Sequence, residues 1–311
     1  MPPTAFITSA TGTLGGALAR HLLTLHWTIH FTTRNPTSPA ALALTALGAH
    51  VFPGSWNDLP ALTTALTSCT HLFINTMPSF TDATAEITQA KNILLIAKQL
   101  SVTHVIYSGA LPTFSLPQWD PAHWTAAWRL AKVEIEKAVR EAGIENWAIL
   151  RPGYFMANFL GEKVAFQHPL AKDTGVFKHA YGKGEVLPLV DEADVARVVV
   201  KAWTGGDEER WKGREVAVAS ERVTAGEVIE ILRRVSGKEI LGEWLGDEER
   251  EREEGSVRFS LENQRSFAGI DGLVDWEVVR GLGVELGTFE GYLRRERESL
   301  DETYVKVKAI E

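Results

Sequence analysis

The sequence predicts an α/β protein: a doubly wound parallel sheet with a smaller C-terminal portion. Strand and helix patterns alternate through the first half, short turn-rich joints separate them, and a Gly-rich turn links the first strand to the first helix. Residues 5–8 read as the first strand and 15–25 as the helix that follows. Residues 28–33, rich in β-branched and aromatic side chains, form the second strand. A helix over 40–47, a strand over 50–53, a helix over 59–66 and a strand over 71–75 continue the alternation. A long amphipathic helix over 84–100, a strand over 103–107, a helix over 125–141 and a strand over 147–150 complete six strands and five crossovers.

Beyond Arg151 the pattern is irregular. Residues 154–184 mix Gly, Pro and aromatics, as loops wrapping a pocket do. Residues 186–190, 193–203 and 216–219 read as strand, helix and strand returning to the main sheet. Residues 225–236 form an amphipathic helix with Thr224 as N-cap. The run 246–255, mostly Glu, Asp and Arg, reads as a solvated helix or mobile loop.

Composition narrows the function classes. The chain has 311 residues, 45% of them hydrophobic, which suffices for a sizeable core. No apolar run approaches the roughly 18 residues of a bilayer span, and the first ten residues lack the basic start of a secretory signal, so a cytoplasmic protein without a membrane partner is expected. Cys69 is the single cysteine, so neither an internal disulfide nor a zinc site is expected. The net charge is −8, and residues 1–150 hold eight acids and eight bases. A neutral half-domain lacks the basic face that duplex nucleic acid requires.

Directly after the first strand comes Thr8-Ser9-Ala10-Thr11-Gly12-Thr13-Leu14-Gly15-Gly16. In that context the turn is a dinucleotide cradle. Gly12 lets the backbone approach a pyrophosphate held by the N–H groups of the helix N-terminus, and Gly15 permits the helix to pack closely on the strand. Ser9, Thr11, Thr13 and Leu14 complete the cofactor-binding turn of a Rossmann domain. Ser9 stands where the usual pattern begins with Gly; a Ser there can still make the turn with a negative φ, but it crowds the backbone. The second strand ends in Thr33-Arg34-Asn35-Pro36, and the first acidic residue of the chain is Asp58. NAD calls for a carboxylate at this strand end, whereas a cation accommodates the 2′-phosphate of NADP. Arg34 and Asn35 therefore favour NADPH over NAD.

With the Gly-rich turn, the Thr-Arg-Asn-Pro segment, the stretches at 102–109 and 132–136 and the run Ile149-Leu150-Arg151-Pro152-Gly153-Tyr154-Phe155-Met156-Ala157-Asn158-Phe159 in view, the chain resembles the NmrA-like family of atypical short-chain dehydrogenases. That family includes isoflavone and phenylcoumaran ether reductases and redox-sensing regulators. The resemblance implies an NAD(P)-binding Rossmann domain over 1–153, with 186–219 returning to its sheet, and a substrate-binding portion over 154–185 and 220–311. By analogy Ser108 ends the fifth strand at the nicotinamide side. Lys132 projects toward the ribose and substrate, although Lys-Val-Glu-Ile-Glu also reads as a helix with its charges outward. Asn75, Thr76 and Met77 join the cofactor site, and Pro152, Gly153, Tyr154 and Phe155 cover it. Tyr154 and Phe155 could equally be core. Asn158 and Phe159 face the substrate.

Two departures from the family pattern matter. Ordinary short-chain dehydrogenases carry a proton-donating Tyr four residues before the Lys, and here that position is Trp128. Ser55 replaces the acidic residue at the end of the third strand, and the neighbouring Trp56 could stack on adenine. Trp119, Trp124 and Trp128 suggest an aromatic substrate mouth, with His123 as an alternative proton donor beside Lys132. Three functions fit: an NADPH-dependent reductase of a small aromatic or polyketide-like molecule, a dinucleotide-sensing regulator acting through a protein partner, and a non-redox isomerase or dehydratase.

Overall fold

A computed structural model describes residues 2–79, 82, 84–111, 126–206, 208–265 and 267–310, with side chains described at all of these but 126, 127 and 208. Seven strands form one parallel sheet: β1 (Thr4–Ile7), β2 (Thr28–Thr33), β3 (His50–Pro53), β4 (His71–Ile74), β5 (His104–Ser108), β6 (Asn146–Pro152) and β10 (Arg214–Val218). Their spatial order is β10-β6-β5-β4-β1-β2-β3. The chain leaves β1 for β2 on one side and later crosses to β4 on the other. The C-terminal ends of β1 and β4 therefore flank the crevice where such sheets bind ligands.

Side-chain alternation builds the two layers. Ala5 and Ile7 of β1 face a core with Leu14, Leu18 and Leu22 of helix α1 (Thr13–Thr24), Leu44 of α2 (Pro39–Ala46) and Val195, Val198 and Val199 of α8 (Glu192–Thr204). Phe6 points the other way, into a core with Leu62 of α3 (Leu59–Leu66), Ile93 of α4 (Ala85–Gln99) and Ile135 of α5 (Ala126–Glu141). These residues are at most 4% exposed, and burying each such side chain contributes roughly 1.5–3 kcal/mol.

Between β6 and α8 lie β7 (Tyr154–Phe155), α6 (Gly161–Gln167), α7 (Ala171–Thr174), β8 (Val176–His179) and β9 (Val186–Val190). The expectation that residues 186–190 rejoin the main sheet fails. β9 instead pairs in parallel with β7 and antiparallel with β11 (Glu221–Thr224), in a separate three-stranded sheet, and only β10 returns to the main one. The reason lies in packing across the chain: after Pro152 the chain turns through Gly153, where an added Cβ would lie 2.1 Å from the Pro188 carbonyl oxygen, so β9 is pressed against that turn.

A second core, with Tyr154, Phe159, Phe177, Leu189, Leu232 and Phe289 among its members, fills the smaller portion. Thr224 caps the helix over Ala225–Ser236 as expected, in a reciprocal box with Glu227. The acidic run contains a short exposed helix, Asp247–Glu251. Among the described residues no helix is long and apolar enough to cross a membrane, and no group of three or more His, Cys, Asp or Glu side chains could hold a metal.

Candidate functional site

The turn after β1 is tied to the end of β4. The Thr8 hydroxyl donates to the Phe73 and Asn75 carbonyl oxygens at 3.2 Å each, and accepts from the Asn75 N–H at 2.6 Å. The Ser9 hydroxyl donates to the same Asn75 oxygen at 2.8 Å. Ser9 has φ +48°, contrary to the negative value expected. A left-handed serine costs roughly 1–2 kcal/mol, and its side-chain bond to Asn75 holds it there. Gly15 lies against this turn. A Cβ added to it would stand 2.4 Å from the Ser9 oxygen and 2.7 Å from that of Thr8, so the close approach demands glycine. Leu14 sends its side chain into the core.

Gly12 is the N-cap of α1, whose first turn has neither a side-chain cap nor an acidic residue. The Gly12 N–H donates to the Ser9 carbonyl oxygen at 2.8 Å, so the amides of Thr13 and Leu14 open the helix N-terminus toward the crevice. Thr11 and Gly12 are exposed and Thr13 half-buried. The residues present fit a dinucleotide: a turn whose Gly15 leaves no room for a Cβ, and a helix first turn without an acidic residue.

At the end of β2 Arg34 is exposed and has no ion pair among the described residues. The Asn35 side-chain oxygen instead accepts from the Thr37 N–H and hydroxyl at 3.2 and 2.9 Å, closing its own turn. Ser55 caps a turn by accepting from the Asn57 N–H. Trp56 is half-buried against the core beneath α3 and α4, and its carbonyl accepts from Asn92. At the end of β4, Thr76 is buried and Met77 is 69% exposed.

Lys132 does not face outward, and its ammonium is held by two partners. Its ammonium donates to Glu86 Oε1 at 2.5 Å and to the Thr76 carbonyl at 3.0 Å, with 12% of the lysine side chain and 2% of the glutamate side chain exposed. The Thr76 hydroxyl donates to the same carboxylate oxygen at 2.8 Å. Tyr107 lies beneath, its ring centroid 6.0 Å from the ammonium, and burial holds its phenol pKa well above the usual value. Glu136, the second residue expected outward, also turns in. It receives Arg151 through two bonds at 2.7 and 2.5 Å, and Arg151 reaches Glu215 at 2.6 Å. Lys132 and Glu136, one turn apart, each meet a buried ionic partner, whereas Glu134 and Lys137 between and beside them are exposed. Ser108 is 2% exposed at the end of β5.

The covering stretch divides. Pro152 and Tyr154 are buried, Gly153 packs on β9, and Phe155 and Asn158 are half-buried. Phe159 does not face a substrate: it is 1% exposed, ringed by Tyr154, His168, Phe177 and Phe289. A large ring at a short helical turn is drawn into the nearest apolar core, here that of the smaller portion. Trp119, His123 and Trp124 lie outside the described residues. Trp128 sits one turn before Lys132 and meets Phe259 edge-on, centroids 6.5 Å apart, and Phe259 meets the 41%-exposed Phe166 at 5.7 Å.

Four residues escaped the sequence reading: Glu86, Phe166, Phe259 and Lys163, whose ammonium donates to the Thr13 hydroxyl. Only Glu86 left a trace. It occupies the buried stripe of α4 with Ala90, Ile93, Leu94 and Ala97, and a carboxylate there requires a partner.

The model of the NmrA-like family matches residues 3–250. The NmrA-like family domain-containing oxidoreductase notA of Aspergillus sp. (strain MF297-2) is 32% identical over 169 residues, 52% of this chain and about half (49%) of that relative's length. The crystal structure of NmrA, a negative transcriptional regulator, with NADP superposes with a TM-score of 0.74 at 19% identity, covering 96% of this chain and 97% of that one. The same regulator has also been solved with NAD. The Citrobacter sp. triphenylmethane reductase complexed with NADP(H) gives 0.72 at 20% identity, covering 94% and 99%. At such identities the superpositions speak for the fold.

Proposed function

Because the chain belongs to the NmrA-like family, we propose that it binds NADPH across the Gly12 turn and reduces a small aromatic molecule. The observation that carries the cofactor is the turn itself, with Gly15 pressed on Ser9 and an α1 first turn that lacks an acidic residue. When bound, the nicotinamide supplies hydride. Arg34, exposed and unpaired among the described residues, provides the cation for a 2′-phosphate. Trp128, Phe166 and Phe259 offer edges and faces to a planar apolar substrate beside Lys132.

Lys132 has three N–H groups, two of them engaged by Glu86 and Thr76, which leaves one to donate a hydrogen bond or a proton. Glu86 holds the ammonium against movement, so its direction is set before a substrate arrives. That same engagement favours a second reading, a dinucleotide sensor acting through a protein partner, since a lysine buried in an ion pair can be structural. NADPH oxidation across a panel of aromatic ketones, quinones and ethers separates the two. The reductase reading expects turnover that falls at least about tenfold in Lys132→Met with NADPH affinity within about threefold. Tight NADPH binding with no turnover anywhere on the panel overturns it in favour of the sensor.

A further inference from the structure

Lys163 brings a positive charge to a helix end that is itself positive. It sits on α6, in the smaller portion, yet its ammonium reaches across to the hydroxyl of Thr13, the first residue of α1. A helix N-terminus carries partial positive charge, so a lysine held there is repelled unless an anion lies between them. No acidic residue occupies the first turn of α1, and no side chain caps it. Although the Lys163 side chain is largely exposed, the protein packed around its ammonium lowers its pKa, and the charge of Glu192 opposes that without cancelling it. Glu192 is 7% exposed, sits at the start of α8, and its own pKa is raised by burial. Glu192 is thus a poor counter-charge for Lys163.

We propose that Lys163 is the cationic partner of the cofactor's diphosphate, delivered to the Gly12 turn by the smaller portion of the molecule. The assignment rests on the dinucleotide reading of that turn. The Thr13 hydroxyl accepts one ammonium N–H; the diphosphate oxygens take the remaining donors and supply negative charge between lysine and helix. α6 also carries Phe166, one turn away on the same helix. The segment that closes on the phosphates therefore also sets the aromatic wall, which couples cofactor loading to the shape of the substrate mouth.

The diphosphate is common to NADPH and NADH, so the charge should count equally for both. Calorimetric titration of the full chain with each cofactor, in the parent, Lys163→Ala and Lys163→Arg, tests this. The expected result is a loss of roughly ten- to hundredfold for NADPH and NADH alike in Lys163→Ala, the range of a charge-assisted hydrogen bond. Lys163→Arg should stay within about threefold of the parent, and the cofactor-free thermal midpoint should be the same in all three. Unchanged affinity in a folded Lys163→Ala, or a loss confined to NADPH, overturns the assignment. So does a fall in the cofactor-free midpoint that arginine does not rescue, because the lysine would then act through structure. A parent that binds neither cofactor overturns the reading of the turn itself, and with it the lysine assignment.

Discussion

Removing the charge of Glu86 probes the element that fixes Lys132. Glu86→Leu leaves the ammonium of a lysine side chain only 12% exposed with the Thr76 carbonyl as its remaining partner among the described residues. Breaking a buried pair from one side costs about 3–5 kcal/mol, and the near-complete burial of the carboxylate places this pair within that range. Lys132→Met should cost a similar amount by leaving the carboxylate unpaired. The double variant Glu86→Leu/Lys132→Met removes both charges and substitutes apolar volume, a replacement that is often close to neutral. The two single losses should therefore exceed the double by several kcal/mol. Urea unfolding at neutral pH, extrapolated for all four proteins, gives this coupling directly. Single losses under about 1 kcal/mol that add within about 0.5 kcal/mol would refute the buried pair.

Gly15→Ala should abolish NADPH binding and destabilise the protein by about 1–3 kcal/mol, because its Cβ would meet the Ser9 and Thr8 backbone at 2.4–2.7 Å; thermal unfolding and titration measure both. Arg34→Ala should weaken NADPH by about 1.5–3 kcal/mol and leave NADH unchanged in paired titrations, whereas equal losses would assign Arg34 to structure. Burial lowers the pKa of His179, and of His71, to about 3, and places that of His168 well below its usual value. A folded pKa below the unfolded one means the unfolded chain binds more protons between the two. The stability these neutral rings contribute is therefore complete above about pH 6.5 and lost toward pH 3, at about 1.4 kcal/mol per pH unit for each ring. Neither ring nitrogen of His179 has a hydrogen-bond partner among the described residues, and the ring stacks on Trp244. His179→Phe should then flatten the acid limb by about one ring's slope in urea titrations between pH 6.5 and 5.

The sheet was legible because its signals are local. β2, β3 and α3 fall on the expected residues, and the other strands through β6 shift by no more than two at either end, since β-branched runs and N-caps such as Ser38 and Asp58 act over a few positions. The turn at Gly12 was legible for the same reason. What failed depends on distant packing. Nothing in Val186–Val190 says that Gly153 will press against it, and Phe159 looks like a pocket residue until Phe177 and Phe289 close around it. Ser9 accepts a left-handed backbone only because Asn75, 66 residues away, receives its hydroxyl. The outward-charge reading of Lys132 and Glu136 missed their buried partners, since Glu86 and Arg151 sit on other elements. Lys163 had no signal at all, because a surface lysine gains meaning only from the helix end it reaches.

The most direct test of the dinucleotide site is the fluorescence of NADPH titrated with the protein and with Gly12→Val. The parent should enhance and blue-shift the emission saturably, and the variant, with its far-ultraviolet dichroism intact, should leave it unchanged because the branched side chain fills the diphosphate's approach. A parent that never saturates, or a folded Gly12→Val that binds like the parent, would contradict the placement of the cofactor on this turn.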